Sequence, residues 1–516
     1  MPFAGQLALR GSTEQAESSR AVSIVLAITV ATAMLHLAVA GRYDIFRNEL
    51  YFIVCGRHPA FGYVDLPPLV PLLSAATQVF GASVWLLRLP AAAAAVALVP
   101  LSAAFARLAG GRTLSIVLAA AAAALSPALA GVTATLTTTT FEPLAWTAYA
   151  FLVARAVLLE QRQALLWAGA IAGVSMEAKY GIVMWVVPMI AGLLLTRARR
   201  VFAWREFWMG AVLFALIAAP SLIWQAIHGL PFLAVISAHK KTIFTGGPLG
   251  FTLQQVGAVN VALAPLWLAG LIGPFLMPAL RPLRFLSIAF AGAAALDFGT
   301  GGKDYYLFAA YPTLFAVGGV ACARLNRGIA ALWLAIAAAA FALLAPVALP
   351  ILDPPALARY LRVTHLRPPP DELAAMGAPL TQVFSDEMGW RELERKVAAA
   401  YRSLPEADRS RAAIIAIDYG EAAAIDFYGK ADGLPPALSG EDQYFLWGAH
   451  GYDGSVILHI NGSERSWRRF CDHLEVVDTF GAPYAMPYEN GRPILLCRGL
   501  RANLTATWDR FKRYGR

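Results

Sequence analysis

The sequence predicts a polytopic α-helical membrane protein that carries an α/β domain at its C-terminal end. Composition is the first observation behind this reading: 58% of the 516 residues are hydrophobic and 15% are charged, against about 25% charged in a soluble globular protein. The second is a change of texture near residue 350, where long apolar runs give way to a segment rich in Asp, Glu, Arg and Pro. The third is the placement of arginines between the apolar runs.

A membrane-crossing helix takes roughly 17–25 apolar residues. Runs of this kind lie at 22–40, 84–106, 113–130, 141–159, 164–177, 180–196, 207–227, 258–279, 285–299, 306–323 and 328–350, about eleven in all, with 164–177 and 285–299 the short ones. If the runs alternate across the bilayer, Arg10, Arg20, Arg107, Arg112, Arg155, Arg162, the stretch RARRVFAWR (197–205), Arg281, Arg284, Arg324 and Arg327 fall on one side. The positive-inside rule makes that side the cytoplasm. It also accounts for the net charge of +9 without a nucleic-acid partner. Residues 1–21 then form a cytoplasmic tail. The first run lacks a clear cleavage site, so a retained helix is expected rather than a cleaved leader. Residues 22–350 form the transmembrane domain, and an odd number of spans puts 351–516 outside.

In that last domain, short strands such as AAIIAID (412–418), SVILHI (455–460) and PILLC (493–497) alternate with helical stretches such as ELERKVAAAYRSL (392–404). This interleaving marks an α/β domain of about 150 residues. Cys471 and Cys497 share an oxidising space there, as a disulfide or as two buried thiols. The four cysteines show no CxxC or zinc spacing.

The remaining polar features gather on the outer side. Asp44, Glu49, Asp65, Glu142, Glu177, Lys179, Lys303 and Asp304 sit at helix ends or in outer loops. A charge beside hydrocarbon is costly unless paired or wetted, which makes each a functional candidate. Plainer roles compete at every position. In TTTTFEPLAWT (137–147), threonines and Glu142 suit a helix cap. In MEAKYG (176–181), Lys179 is a snorkelling lysine or a phosphate ligand. In GTGGKDYYLFAAYP (299–312), the Gly run and Lys303 suit an anion, while Tyr305, Tyr306 and Tyr311 equally suit an aromatic belt. AHKK (238–241) is a solvated loop or a lipid-phosphate contact.

The order of these segments is familiar. YDIFRNELYFIVCGRHPAFGYVDLPPL, then TFEPLAW, AKYG and GKDYYLFAAYP, resembles bacterial family 39 glycosyltransferases. These are GT-C fold relatives of protein O-mannosyltransferases and of the lipid A aminoarabinose transferase. The likeness covers about residues 20–350. GLPPALSGEDQYFLWG (433–448) is similar to the ALPPALSGHNQYxLWG pattern of the outer domain in this subgroup, with Glu441 and Asp442 where His and Asn are usual.

The resemblance implies transfer of a sugar from a polyprenyl-phosphate carrier to a glycan, lipid or protein acceptor, on the outer face of the plasma membrane, with inversion. The catalytic outer loop is 41–83. Such a displacement needs a carboxylate to deprotonate the acceptor and cations to stabilise the leaving phosphate. The first-loop acidic pair of the family, Asp-Glu, reads Asn48-Glu49 here, in a loop motif that also holds Arg57. An amide cannot accept the proton. The base is then Glu49, ranked first because it belongs to the matched pair. Asp65, ahead of the rigid Pro-Pro, comes second. Asp44 comes third: it lies four residues before Asn48 and shares its face if that segment is helical. Glu142 matches the second acidic position. Lys179 and Lys303, with Tyr305 and Tyr306 beside them, match positions that face the carrier phosphate. No resident cofactor is implied, and a divalent metal fits the chemistry. Two rival readings stay open: a non-catalytic relative that binds lipid-linked sugar, and a transporter or flippase, against which the Ala-, Leu- and Val-rich span centres count.

Overall fold

The computed structural model describes residues 3–239, 247–368 and 376–515, with side chains from Ser19 onward, His239 excepted. Lys240 and Lys241 of AHKK, and the side chain of Arg10, lie outside what is described. The chain divides into two compact units: a helical one of Met1–Ala40, Arg88–Pro220 and Phe244–Ile351, and a second of Gly41–Leu87, Ser221–Ile243 and Leu352–Arg516.

The apolar runs read from the sequence fall mainly on helix, with 113–130 interrupted after Ala124 and 258–279 interrupted at Asn260. Among the described residues, six helices are long and apolar enough to cross a membrane: Ser19–Val39, Val84–Leu108, Glu142–Leu159, Arg205–Ile227, Pro278–Thr300 and Arg327–Ala348. The number rises to eight if each of two bent pairs is one span. Thr113–Ala124 and Ala164–Ala178 are shorter apolar helices. Only 17% of the spanning window is buried in Ser19–Val39 and in Arg327–Ala348, against 56% in Val84–Leu108 and Glu142–Leu159. The first two therefore present apolar surface outward, and the last two form the interior of the unit.

Inside the helical unit, small residues set the helix spacing. A Cβ on Gly169 would run into the carbonyl of Gly210, and one on Gly270 into the carbonyl of Leu314. Such close backbone approach is how membrane helices gain packing energy where burial from water contributes little. One break in the helices is held by a single side chain. Gly247–Val259 and Val261–Leu276 meet at 97°, and Asn260 between them has φ 101°. Its Nδ2 donates to the carbonyls of Leu125 and Ala337, both at 3.0 Å, and its Oδ1 accepts from the Ala262 N–H at 3.1 Å. One buried amide thus fixes the bend and ties it to two other helices.

The second unit contains a five-stranded sheet, ordered β2-β1-β3-β5-β4. The strands are β1 (Ala412–Ala416), β2 (Ala437–Ser439), β3 (Val456–Ile460), β4 (Cys471–Phe480) and β5 (Arg492–Leu500). β1 pairs in parallel with β2 and β3, while β5 runs antiparallel to β3 and β4. β1 and β3 are buried along their whole length, as strands covered on both faces are. The helix Trp390–Ser403 buries Trp390, Leu393, Glu394, Val397 and Ala398, a helical stripe. Asp418 Oδ1 caps Tyr419–Tyr428 by accepting the Glu421 N–H at 2.8 Å. Cys471 and Cys497 form a disulfide between β4 and β5.

The first loop belongs to this same unit. Its helix, Arg47–Arg57, enters through one cation. The Arg47 side chain is 11% exposed and lies 3.9 Å from the Asp386 carboxylate. Its Nη1 donates to the Tyr488 hydroxyl, and its guanidinium sits 5.2 Å from the Tyr419 ring centroid. The Arg47 N–H donates to the Asp386 carbonyl at 3.1 Å. A Cβ on Gly420 would strike the Arg47 side chain, so the glycine makes room for the cation.

Two stability changes follow. Arg47→Ala removes the cation beside the buried Asp386 carboxylate, which keeps the Tyr488 hydroxyl, and is expected to destabilise the second unit by about 3 kcal/mol, seen as faster proteolysis of 41–87 in detergent. Asn260→Ala removes three hydrogen bonds, each worth about 0.6–1.7 kcal/mol in a membrane protein. It also leaves a β-carbon at positive φ. Thermal unfolding of the purified protein should start several degrees earlier.

Candidate active site

The helical unit collects the predicted phosphate ligands around one ion pair. Lys179, the residue that ends Ala164–Ala178, donates to Glu142 Oε2 at 2.7 Å and to Thr139 Oγ1 at 3.0 Å. Glu142 is buried, and Gly181 gives its carboxylate space that a Cβ would fill. The lysine is therefore paired, not a snorkelling surface cation. Its Nζ lies 4.3 Å from the Tyr306 ring centroid and 5.5 Å from that of Tyr305, while Lys303 Nζ lies 5.9 Å from the Tyr305 centroid. The tyrosines read as a belt are thus faces for two ammonium groups. The threonines do not cap the helix that begins at Glu142. They fold on themselves instead, with Thr140 Oγ1 accepting from the Thr137 N–H at 2.8 Å and donating to the Thr135 carbonyl at 2.8 Å. Glu177 is half-buried in its helix.

Asp297 escaped the sequence reading. It is fully buried at the end of Pro278–Thr300, and neither carboxylate oxygen has a hydrogen-bond partner among the described residues. Its signal was present: an acid inside an apolar run is a functional candidate by default.

The second unit holds the loop carboxylates, and the structure sorts them by what already occupies them. The helix starts at Arg47, so Asp44 lies outside it and does not share a helical face with Asn48. Asp44 Oδ2 accepts from Arg391 Nε at 2.9 Å, and Oδ1 accepts from the Tyr428 hydroxyl at 2.9 Å and the Ile45 N–H at 2.8 Å. Glu49 is fully buried, and its Oε2 accepts the Phe46 N–H at 2.9 Å, closing the first turn of the helix. Asn48 Oδ1 accepts from the Tyr419 hydroxyl at 2.8 Å. Arg57 is exposed, with its guanidinium 5.1 Å from the Phe427 ring centroid.

Asp65 differs from these. It is half-buried, and its Oδ1 accepts from the Tyr51 hydroxyl at 2.8 Å. Burial pushes its carboxyl up to about 6, against the pull of the Tyr51 hydroxyl. The departures in the GEDQY stretch are absorbed locally. Glu441 Oε2 accepts the Tyr419 N–H and Asp442 Oδ1 the Gly515 N–H, both at 2.9 Å. Burial, with Asp418 nearby, pushes Glu441 up to about 8. Among the described residues, no group of three or more His, Cys, Asp and Glu is placed to hold a metal ion.

Comparison with known proteins bears on the fold. Residues 65–224 match the family described as dolichyl-phosphate-mannose-protein mannosyltransferase. No curated protein matches the chain. ArnT from Cupriavidus metallidurans bound to undecaprenyl phosphate is similar over 92% of this chain and 97% of that one, at 14% identity and a TM-score of 0.57. Its apo state gives 93%, 98%, 14% and 0.58. The arabinofuranosyltransferase AftD from Mycobacteria is similar over 92% of this chain and 40% of its own, at 14% identity and a TM-score of 0.50. Likeness at this identity is likeness of fold: the chain is a multi-pass membrane protein with the GT-C glycosyltransferase architecture and a C-terminal α/β domain, and it resembles the family 39 enzymes.

Proposed function

We propose that the protein is an inverting glycosyltransferase that moves a sugar from a polyprenyl-phosphate carrier to a glycan, lipid or protein acceptor on the extracytoplasmic side of the plasma membrane. The arginine alternation supports the sidedness. The state of the loop acids carries the mechanism. Asp44 and Glu49 are engaged by backbone and arginine donors that hold the loop, whereas Asp65 keeps one oxygen fixed by Tyr51 and is only half-buried. Asp65 is therefore the base in this reading, ahead of Glu49.

The chemistry is a single displacement. Asp65 accepts the proton of an acceptor hydroxyl as that oxygen bonds to the anomeric carbon. The bond from that carbon to the carrier phosphate oxygen breaks, and its electron pair leaves with the phosphate. The motif resemblance alone assigns Lys179 and Lys303 to the developing phosphate charge. An ammonium has three N–H donors, and Glu142 and Thr139 take two from Lys179, so they aim the third. Asn48 fits a binding or positioning role, since its oxygen serves Tyr419.

Asp65→Asn should lower turnover by about 10²–10⁴-fold, with insertion and binding of polyprenyl-phosphate sugar retained. Because a base acts only when ionised, wild-type kcat/KM should fall as pH drops through about 6, and Asp65→Asn should abolish that limb. Glu49→Gln should cost stability more than turnover. Near-normal transfer by Asp65→Asn would remove the base assignment, and a wild type that binds donor yet never transfers it would favour the binding-only relative. Lys179→Ala should raise the KM for donor severalfold and release the buried Glu142; an unchanged KM would take Lys179 out of the phosphate site.

A further inference from the structure

Asp65 is not oriented by its own loop alone. The Tyr51 hydroxyl that donates to Asp65 Oδ1 also accepts the backbone N–H of Gln443, at 3.2 Å. A phenol has one proton to give. With the Gln443 N–H directed at its oxygen, the Tyr51 proton is left for Asp65. The Tyr51 ring is buried and rests 4.7 Å from the Tyr419 centroid and 6.3 Å from the Tyr444 centroid, so it cannot swing away. The other side of the carboxylate is pinned as well. Gln443 Oε1 accepts the Val64 N–H at 3.2 Å, and Gln225 Nε2 donates to the Tyr63 carbonyl at 2.7 Å. The direction of the Gln443 N–H depends in turn on Asp442, whose φ is +44°. Asp and Asn are the side-chain-bearing residues that best tolerate this left-handed region, and the Gly515 N–H holds Asp442 there.

We propose that Tyr51 and Gln443 are positioning residues for Asp65: the relay from the Gln443 N–H through the Tyr51 hydroxyl to Oδ1 fixes which carboxylate oxygen is left to meet the acceptor. This rests on the assignment of Asp65 as the base. The Asp442 position then explains why GEDQY keeps a short Asx side chain where the motif has Asn. The GEDQY stretch of the C-terminal segment thus acts on the chemistry of the first loop. Besides Tyr51, the titratable groups facing Asp65 are Cys55 from the loop helix and Asp442, with Arg47 and Glu441 next to Asp442. A hydroxyl donated to a carboxylate stabilises its charged form, so losing that hydroxyl moves the titration of Asp65 to higher pH.

The test compares Tyr51→Phe, Gln443→Ala and Asp65→Asn in full-length protein, using a synthetic polyprenyl-phosphate sugar as donor. Tyr51→Phe is expected to lower kcat by about tenfold to a hundredfold, leave the donor KM unchanged and shift the acid limb of kcat/KM upward. Gln443→Ala, which keeps the backbone N–H but frees the Val64 N–H, should show a smaller loss and a shift in the same direction. A dead Asp65→Asn beside a Tyr51→Phe enzyme with unchanged kcat and an unmoved limb would overturn the relay and leave the base assignment standing. An active Asp65→Asn would overturn the base assignment itself, and the relay with it. If Tyr51→Phe fails to fold, 3-fluorotyrosine at position 51 decides: its more acidic phenol donates more strongly to Asp65 and should move the limb to lower pH, and an unmoved limb overturns the relay.

Discussion

Arg47 is the contact on which the second unit depends. A guanidinium with 11% of its side chain exposed is costly to desolvate, and here it is met from three directions, by the Asp386 carboxylate, the Tyr488 hydroxyl and the Tyr419 ring. Asp386 and Tyr488 lie in distant parts of the C-terminal segment, so the cation gathers pieces that the sequence keeps apart. Once Arg47 is seated, Asn48 reaches Tyr419 and Tyr51 reaches Gln443. The polar chemistry of the loop is thus a consequence of one buried charge finding its partners.

The same logic sorts the acids. A buried carboxylate must be satisfied, and the cheapest donors are nearby backbone N–H groups. Glu49, Asp44, Glu441 and Asp442 all take that course. A carboxylate spent in this way is a poor proton acceptor for a substrate. What distinguishes Asp65 is therefore less its own surroundings than the prior commitments of its neighbours. Asp297 is the counterpart in the helical unit, a carboxylate with no such commitment among the described residues.

Much of this was legible from the chain. The apolar runs became mostly helix, because hydrophobic length is a strong signal in a membrane. β1, β3 and β5 were readable as short apolar runs; β4 was not, since CDHLEVVDTF lies at the sheet edge with exposed polar residues along it. At the site, Glu142, Lys179, Tyr305 and Tyr306 were foreseen as candidates and lie together. Tyr51, Gln443 and Arg47 were not. Their roles come from hydrogen bonds between residues hundreds of positions apart, and neither periodicity nor residue type encodes such pairs. Asp44 was misplaced for a local reason: the helix begins three residues later than a face-sharing argument required.

The second unit is discontinuous in the chain, and this has a consequence for how the protein is made. Ribosomes deliver the 41–87 loop early and its partners in Leu352–Arg516 last, with most of the helical unit between them. Until then the part of Arg47–Arg57 that meets the C-terminal segment, with Tyr51 against Tyr419 and Tyr444, lacks that cover. A nascent or truncated chain is accordingly a natural client for membrane chaperones and quality-control proteases. For the same reason, exchanging the C-terminal segment between relatives is not a modular graft: it replaces part of the core into which the loop folds.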